Sequence, residues 1–243
     1  MQRTMMLVDS IQTEARSNRV ETVLVSWSGG KDCALAMYEA LVGGEYQVVG
    51  LFTTVTKDRD RVDMHDLRCS LVERQAQSLG LPWEKVPISS HTSNLDYEPN
   101  MVQTLRRYKE SGVTSVVFGD IFREDLRTYR TLNLARLGIK AIFPLWKRDN
   151  LQLLDSFISL GFKAIVTSIN ACRLDDRFVG RAIDWKFMRE FPNSANICGE
   201  YGEYHTFVYD GPIFESAIPY AVGDMFERDD DFRHFKYCDV MPA

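Results

Sequence analysis

Residues 22–33 read Thr-Val-Leu-Val-Ser-Trp-Ser-Gly-Gly-Lys-Asp-Cys, and residues 34–42 continue Ala-Leu-Ala-Met-Tyr-Glu-Ala-Leu-Val. Thr22–Ser26 is an unbroken β-rich run. Ala34, Leu35, Met37, Tyr38 and Leu41 then recur at helical spacing, so a strand enters a helix at Lys31 through a Gly-Gly turn. The same alternation continues outward. Gln47–Thr54 reads as a strand, Asp66–Leu79 as a helix ended by Gly80 and Pro82, and Glu84–Ile88 as a short strand. A helix over Pro99–Glu110, a strand at Thr114–Phe118, a helix over Glu124–Leu137 and a strand at Lys140–Phe143 complete the series. Strands alternating with helices predict right-handed crossovers and a parallel sheet covered on both faces. The expectation is a layered α/β/α, Rossmann-related domain over residues 21–143, after an extension at 1–20.

Beyond Pro144 a helix at Leu151–Leu160 and a strand at Lys163–Ser168 keep the rhythm. It then dissolves into a helix at Asp184–Glu190, a loop over Phe191–Gly202, a strand at Tyr204–Tyr209 and a final strand at Phe235–Val240. Residues 144–243 are therefore expected to form a smaller α+β domain packed closely on the first. The acidic patch Asp229–Asp231 reads as solvated surface, and Trp27 and Trp146 as packing residues.

Composition narrows the field. A chain of 243 residues, 45% hydrophobic and 26% charged, is neither a disordered tail nor a fibrous repeat. A net charge of −5 gives no global basic field, so stable nucleic-acid binding is not expected. The five cysteines, Cys33, Cys69, Cys172, Cys198 and Cys238, are odd in number and contain no C-x-x-C pair. They read as free thiols in a reducing compartment rather than as a disulfide or metal framework. Met1–Arg19 has a single short apolar run, Met5–Val8, and no stretch approaches the ~18 apolar residues of a membrane span. A cytoplasmic protein without membrane contact is expected, with homo-oligomerisation left open.

The turn Ser28-Gly29-Gly30-Lys31-Asp32-Cys33 carries the first candidate chemistry. The first N–H groups of a helix lack internal partners and sit at the positive end of its dipole. Two glycines let that backbone approach an anion closely. Ser28 adds a hydroxyl, Lys31 a mobile charge for phosphate oxygens, and Asp32 either a helix cap or a water-mediated magnesium contact. The spacing is neither G-x-x-x-x-G-K-S/T nor G-x-G-x-x-G.

A second segment, Cys198-Gly199-Glu200-Tyr201-Gly202-Glu203-Tyr204-His205-Thr206, precedes a strand. Glu200 and Glu203 on a glycine-bearing turn can converge on a cation or amine. Glu203 and His205 point the same way if the segment is already extended, and either could act as a general base or hold an acceptor. An acidic surface loop is the plainer alternative. Gly119-Asp120 ends a strand at the carboxyl edge where parallel sheets bind ligands, as do Thr53 and Thr54. Asp120 could bind magnesium or cap the next helix. Arg127 and Arg130, three apart on that helix, could reach phosphates or form a solvated salt-bridged face. The charged stretch Lys57–His65 reads equally as a mobile lid or a solvated loop, and His65 as either a functional residue or, the plainer alternative, an ordinary loop histidine.

The first loop resembles the S-G-G-x-D-S pyrophosphate-binding loop (PP-loop) of the adenine nucleotide α-hydrolases, or N-type ATP pyrophosphatases, which have a HUP-like fold. Cys33 stands where that family usually has Ser, and a thiol is the weaker donor. The segment Gly199–Thr206, continued by Phe207-Val208-Tyr209-Asp210-Gly211-Pro212, is similar to the signature of the diphthine–ammonia ligase family. So are Gly119-Asp120-Ile121 followed by Arg127 and Arg130, and Pro144-Leu145-Trp146. Tyr201 replaces a more usual Asn or Gly. These landmarks run from Ser28 to Pro212 in the expected order.

The resemblance implies a nucleotide-binding domain holding ATP and Mg2+ at Ser26, Ser28, Gly29, Gly30, Lys31, Asp32, Cys33, Thr53, Thr54, Gly119, Asp120, Arg127 and Arg130. Asp32 and Asp120 are the metal candidates. Lys31, Glu200, Glu203 and His205 are the catalytic candidates, facing a protein or small-molecule carboxylate acceptor and ammonia. The implied reaction adenylates the carboxylate of diphthine on elongation factor 2, or of a related acceptor, and amidates it with release of AMP and pyrophosphate. The alternatives are a tRNA-modifying enzyme sharing the loop, or an adenine-nucleotide sensor without turnover.

Overall fold

The structure, a computed structural model, describes residues 20–56, 59–62, 65–88, 97–230 and 233–243. Most of the expected extension at 1–20, part of the charged stretch 57–65, and Asp231 lie outside the described residues. The first half forms β1 (Glu21–Ser26), α1 (Lys31–Val42), β2 (Tyr46–Thr56), β3 (Arg61–Val62) and α2 (Cys69–Ser78). It continues with β4 (Trp83–Ile88), α3 (Tyr97–Glu110), β5 (Ser115–Val117), α4 (Glu124–Arg136) and β6 (Lys140–Ile142). Strands β4, β2, β1, β5 and β6 pair in that order, all parallel. The short β3 pairs antiparallel with Val55 and Thr56 at the end of β2, on the edge opposite β4.

Strand β1 is central, and its Val23, Leu24 and Val25 are fully buried. Val23 and Val25 face α1, α2 and the second half of the chain. Leu24 faces the other way, into a cluster with Phe52, Leu105, Val116 and Leu134 under α3 and α4. Burial on both faces is why this strand reads as a continuous apolar run rather than an alternating one. The expected α/β/α layering is present. Chain direction across the sheet reverses between β1 and β5, and a crevice opens at their carboxyl ends.

The second half supplies α5 (Asn150–Ser159), β7 (Lys163–Asn170), a single 3-10 turn (Asp176–Phe178), α6 (Trp185–Glu190), β8 (Tyr204–Asp210), β9 (Tyr220–Asp230) and β10 (Arg233–Pro242). Its sheet runs β8–β7–β10–β9, antiparallel throughout. Ala164, Ile165, Val166, Phe207 and Val208 join the same cluster as Val23 and Val25, so one core crosses between the halves. Strand β9 was not expected from sequence. Its exposed Val222 and Met225, interior Gly223 and dense charges blur the alternation, and as an edge strand it needs a partner on one side only. Asp229 and Asp230, read as part of a surface patch, belong to this strand. Helix α2 starts later than its apolar pattern suggests, because Asp66 takes a φ of 51° and breaks the first turn. Among the described residues, no helix is long and apolar enough to cross a membrane.

Candidate active site

The loop after β1 is held by groups from both halves. Gly30 occupies the N-cap of α1 in an extended conformation, with no side-chain cap. The Lys31 N–H that would otherwise be orphaned donates to Thr206 Oγ1 of β8 at 3.0 Å. The Gly29 carbonyl accepts from the Val208 N–H at 2.9 Å and from Gln75 Nε2 at 3.0 Å. Gln75, fully buried on α2, also donates to the Val208 carbonyl at 2.6 Å and accepts from Trp27 Nε1 at 2.9 Å. Gly29 has a φ of 82°, a region that favours glycine. Cys33 Sγ donates to the Gly30 carbonyl at 3.0 Å and accepts from Ser28 Oγ at 3.5 Å. Burial pushes the Cys33 thiol pKa up, so it stays a neutral donor.

Gly119 ends the stretch after β5 against the first turn of α1. A Cβ there would lie 2.7 Å from the Asp32 carbonyl carbon and 2.8 Å from the Cys33 nitrogen, so this close approach admits no side chain. Asp120, next along, pairs with Arg130 at 2.5 Å, and Arg130 lies 4.5 Å above the Phe118 ring. Burial raises the Asp120 pKa against the pull of that guanidinium. Thr53 braces the floor, donating to the Trp27 carbonyl at 2.5 Å and accepting from Trp83 Nε1 at 2.8 Å.

Lys31 is buried, with Nζ 2.9 and 2.8 Å from the two Asp32 carboxylate oxygens. It also donates to the Cys198 carbonyl and sits 5.1 Å from the Tyr204 ring centroid. Burial opposes its charge, but the Asp32 carboxylate beside it outweighs that and raises its pKa, so the side chain is held as the ammonium. Burial likewise lifts the Cys198 thiol to about 12.

The two glutamates of the second segment part company. Glu200 Oε1 accepts from the N–H groups of Ile121, Phe122 and Arg123 at 3.1, 2.9 and 3.3 Å, clasping the approach to α4 from across the crevice. Glu203 turns inward and is 1% exposed. It accepts from the Tyr201 N–H at 2.9 Å, the Asn196 N–H at 3.3 Å and Arg173 Nη1 at 3.3 Å. His205 sits beside His65, ring centroids 4.4 Å apart.

Ser28, Gly30, Lys31, Asp32, Thr53, Asp120, Glu200 and His205 line one cleft of about 440 Å3 between the carboxyl edge of the parallel sheet and β8 with its preceding loop. A second cavity, of about 290 Å3, opens beside it and shares Ser26, Thr54 and Arg130. Phe52, Met101, Leu105 and Phe118 give that side cavity apolar walls.

The diphthamide synthase N-terminal domain family matches residues 21–141 and the diphthamide synthase C-terminal domain family matches residues 149–235. The diphthine–ammonia ligase of Danio rerio is 30% identical over 213 residues, 79% of this chain and 83% of that protein. This chain belongs to the diphthine–ammonia ligase family. The Bos taurus ligase is 25% identical over 79% of each chain. That of Schizosaccharomyces pombe is 28% identical over 79% of this chain but 34% of its own length. Among solved structures, the U34-tRNA thiolase NcsA of Methanococcus maripaludis is similar over 62% of this chain and 61% of its own, at 14% identity and a TM-score of 0.35.

In this diphthine–ammonia ligase family member the cleft gathers Ser26, Ser28, Gly30, Lys31, Asp32, Cys33, Thr53, Thr54, Gly119, Asp120, Arg130, Glu200 and His205 from the sequence-predicted set. Three others lie outside its lining. Gly29 turns its carbonyl into the interface with α2 and β8. Arg127 stacks 4.6 Å from the Trp146 ring centroid and pairs with Glu124 at 3.5 Å. Glu203 serves the loop that carries Glu200. Sequence reading missed Arg123, Tyr201, Tyr204 and Thr206 on the cleft wall, and for His65, also on that wall, it favoured an ordinary loop residue. Thr206 and Tyr204 follow the glutamate-rich turn directly, so their proximity was legible. The proximity of His65 was not, because it depends on how the segment before α2 docks on the second sheet.

Proposed function

We propose that this chain is an ATP-dependent ligase of diphthamide synthesis, and that the cleft holds the nucleotide with its phosphates on Ser28–Cys33 and its base in the apolar side cavity. The observation that carries the reading is the meeting of the glycine loop, the Asp120–Arg130 pair and the Glu200–Thr206 segment in one cleft. In this reading residues 21–143 bind nucleotide and residues 144–243 present the acceptor and the amine.

The acceptor carboxylate, that of diphthine on elongation factor 2, attacks the α-phosphorus and the bond to pyrophosphate breaks. Lys31, fixed in its charged state, neutralises the departing phosphates. Ammonia then attacks the acyl-adenylate and AMP leaves. Glu200 keeps the Ile121–Arg123 backbone in place, and His205 faces the acceptor. Among the described residues no cluster of three or more His, Cys, Asp or Glu forms a metal cage. Asp32, with its side chain 36% exposed, and Asp120 fit instead a magnesium ion carried largely by phosphate oxygens and water. That ion would supply charge neutralisation at the phosphates.

Titrating magnesium-ATP by calorimetry tests the site. Lys31→Ala should weaken binding tenfold or more, about 1.4 kcal/mol. Pyrophosphate release should require diphthine-bearing elongation factor 2, and sustained AMP formation should require ammonium as well. A bound but intact nucleotide would indicate a sensor, and salt-dependent tRNA affinity would indicate a tRNA-modifying enzyme.

A further inference from the structure

The segment 59–68 contributes nothing to the sequence-predicted site, yet an ionic network ties it to the second sheet. Asp66 pairs with Arg61 of β3 at 3.3 Å and with Arg228 of β9. Arg61 Nη1 also donates to the Asp66 carbonyl at 2.6 Å. Asp239 of β10 takes Arg61 at 3.1 Å and Arg68 at 2.5 Å. Asp66 holds its left-handed φ of 51° inside this clamp, a conformation that surroundings must impose on a non-glycine residue. The residue so presented is His65. Its ring lines the cleft, packs on His205, and places Cε1 3.2 Å from where a Cβ on Gly30 would stand.

A small cavity of about 10 Å3, room for about one water, lies against the same residue and is lined by His65, Asp66 and Thr167 among others. His65 Nδ1, Asp66 Oδ2 and Thr167 Oγ1 are buried and make no hydrogen bond within the protein. Asp66 Oδ2 faces Arg61 in their ion pair, and a solvent molecule in that cavity would lie beside His65 and Thr167. A proton held on Nδ1, toward that cavity, would leave Nε2 as the acceptor.

We propose that His65 is a catalytic residue of the amidation half-reaction, its imidazole taking the proton shed by the attacking ammonia. The inference rests on the ligase reading above. The nitrogen lone pair forms the C–N bond, the bond from the acyl carbon to the adenylate oxygen breaks with its electron pair leaving on AMP, and the proton on nitrogen passes to His65. The charged and titratable groups around the ring include Lys31 of α1, His205 of β8, Arg61 and Asp66 of its own segment, and, across the small cavity, Tyr237 and Cys238 of β10. Burial, His205 and Lys31 hold its pKa well below the ordinary value, so the free ring is neutral and able to accept. Phosphate charge beside Lys31 would offset only the last of these causes, while burial, the largest, remains.

The test separates the two half-reactions of the full chain, using magnesium-ATP, diphthine-bearing elongation factor 2 and ammonium chloride. His65→Ala should slow amide formation on the order of 100-fold while ATP–pyrophosphate exchange falls less than about threefold. Added imidazole should restore part of the amidation rate, which a merely structural role would not allow. His65→Gln, which keeps side-chain bulk, gives the same split should the alanine variant fail to fold. Parallel loss of both half-reactions, or unimpaired amidation, overturns the role of His65. Absence of exchange in the unsubstituted protein overturns the ligase reading, and the role of His65 with it.

Discussion

The loop at 28–33 and the loop at 198–206 are both short, glycine-bearing and charged, but their hydrogen bonds run in different directions. The first is held from outside: its carbonyls and N–H groups are met by Gln75, Thr206 and Val208. The second is held from within, by Glu203 on the N–H groups of Asn196 and Tyr201, and it sends Glu200 outward to the first half. A loop packed between the two halves of the chain takes its supports from both. A loop meant to reach across a crevice needs its own internal brace. Two glutamates three residues apart therefore do unlike work, decided by which side of the turn each faces.

Substitutions that touch one support at a time can break this contrast. The largest effect is expected at Gly119. In Gly119→Ala the new Cβ meets backbone at 2.7–2.9 Å rather than a flexible side chain, so the first turn of α1 must shift. A loss of about 3 kcal/mol, the upper end for overpacking, should appear in denaturant unfolding, with ATP binding weakened as well. Retained ATP affinity would mean that the loop does not depend on this contact. Glu203→Gln comes next. One amide nitrogen would then face a backbone N–H donor in a buried position, a loss of about 2 kcal/mol. The pair with Arg173, whose side chain is 51% exposed, adds little to that figure.

Glu200→Gln should be milder, about 1 kcal/mol at pH 7, because the retained oxygen still accepts from the α4 approach. Its pH dependence sharpens the comparison. Burial raises the Glu200 pKa, Asp32 adds to this, and the Phe122 and Ile121 N–H groups oppose it. A carboxyl whose folded pKa is raised contributes most below its unfolded pKa, and that contribution is lost as pH rises through the folded value. The native protein should therefore gain on the glutamine variant as pH falls from 7 toward 4 in paired unfolding curves. A gap that stays constant would place Glu200 in solvent.

Most of this was legible at the level of elements, because β1 and α1 carry unmixed signals: a strand buried on both faces, then a helical period opened by glycines. Strand β9 was not, since an edge strand with exposed Val222 and Met225 has no clean alternation to read. In the site, adjacency in sequence delivered the glycine loop and the run into β8. Glu203 and Arg127 lie off the cleft lining, a placement that spacing could not give because it sets a face but not which face is buried. His65 was passed over because its position is set by Arg61, Arg228 and Asp239, contacts spanning more than half the chain in sequence.

The smallest effect is expected at Cys33, where the first loop departs from the serine of the S-G-G-x-D-S loop that it resembles. The thiol is buried, neutral, and already donates to the Gly30 carbonyl, the bond that a hydroxyl at the same position would make. A hydroxyl is the stronger donor but shorter, so what it gains in the bond it gives back in packing. Cys33→Ser should leave stability within about 0.5 kcal/mol and magnesium-ATP affinity within about threefold. A tenfold gain in affinity would show that the side chain itself touches phosphate and that the cradle is more than backbone. A near-zero change would complete the contrast with the second loop: at 28–33 the main chain and Lys31 hold the ligand, while at 198–206 the side chains hold the loop.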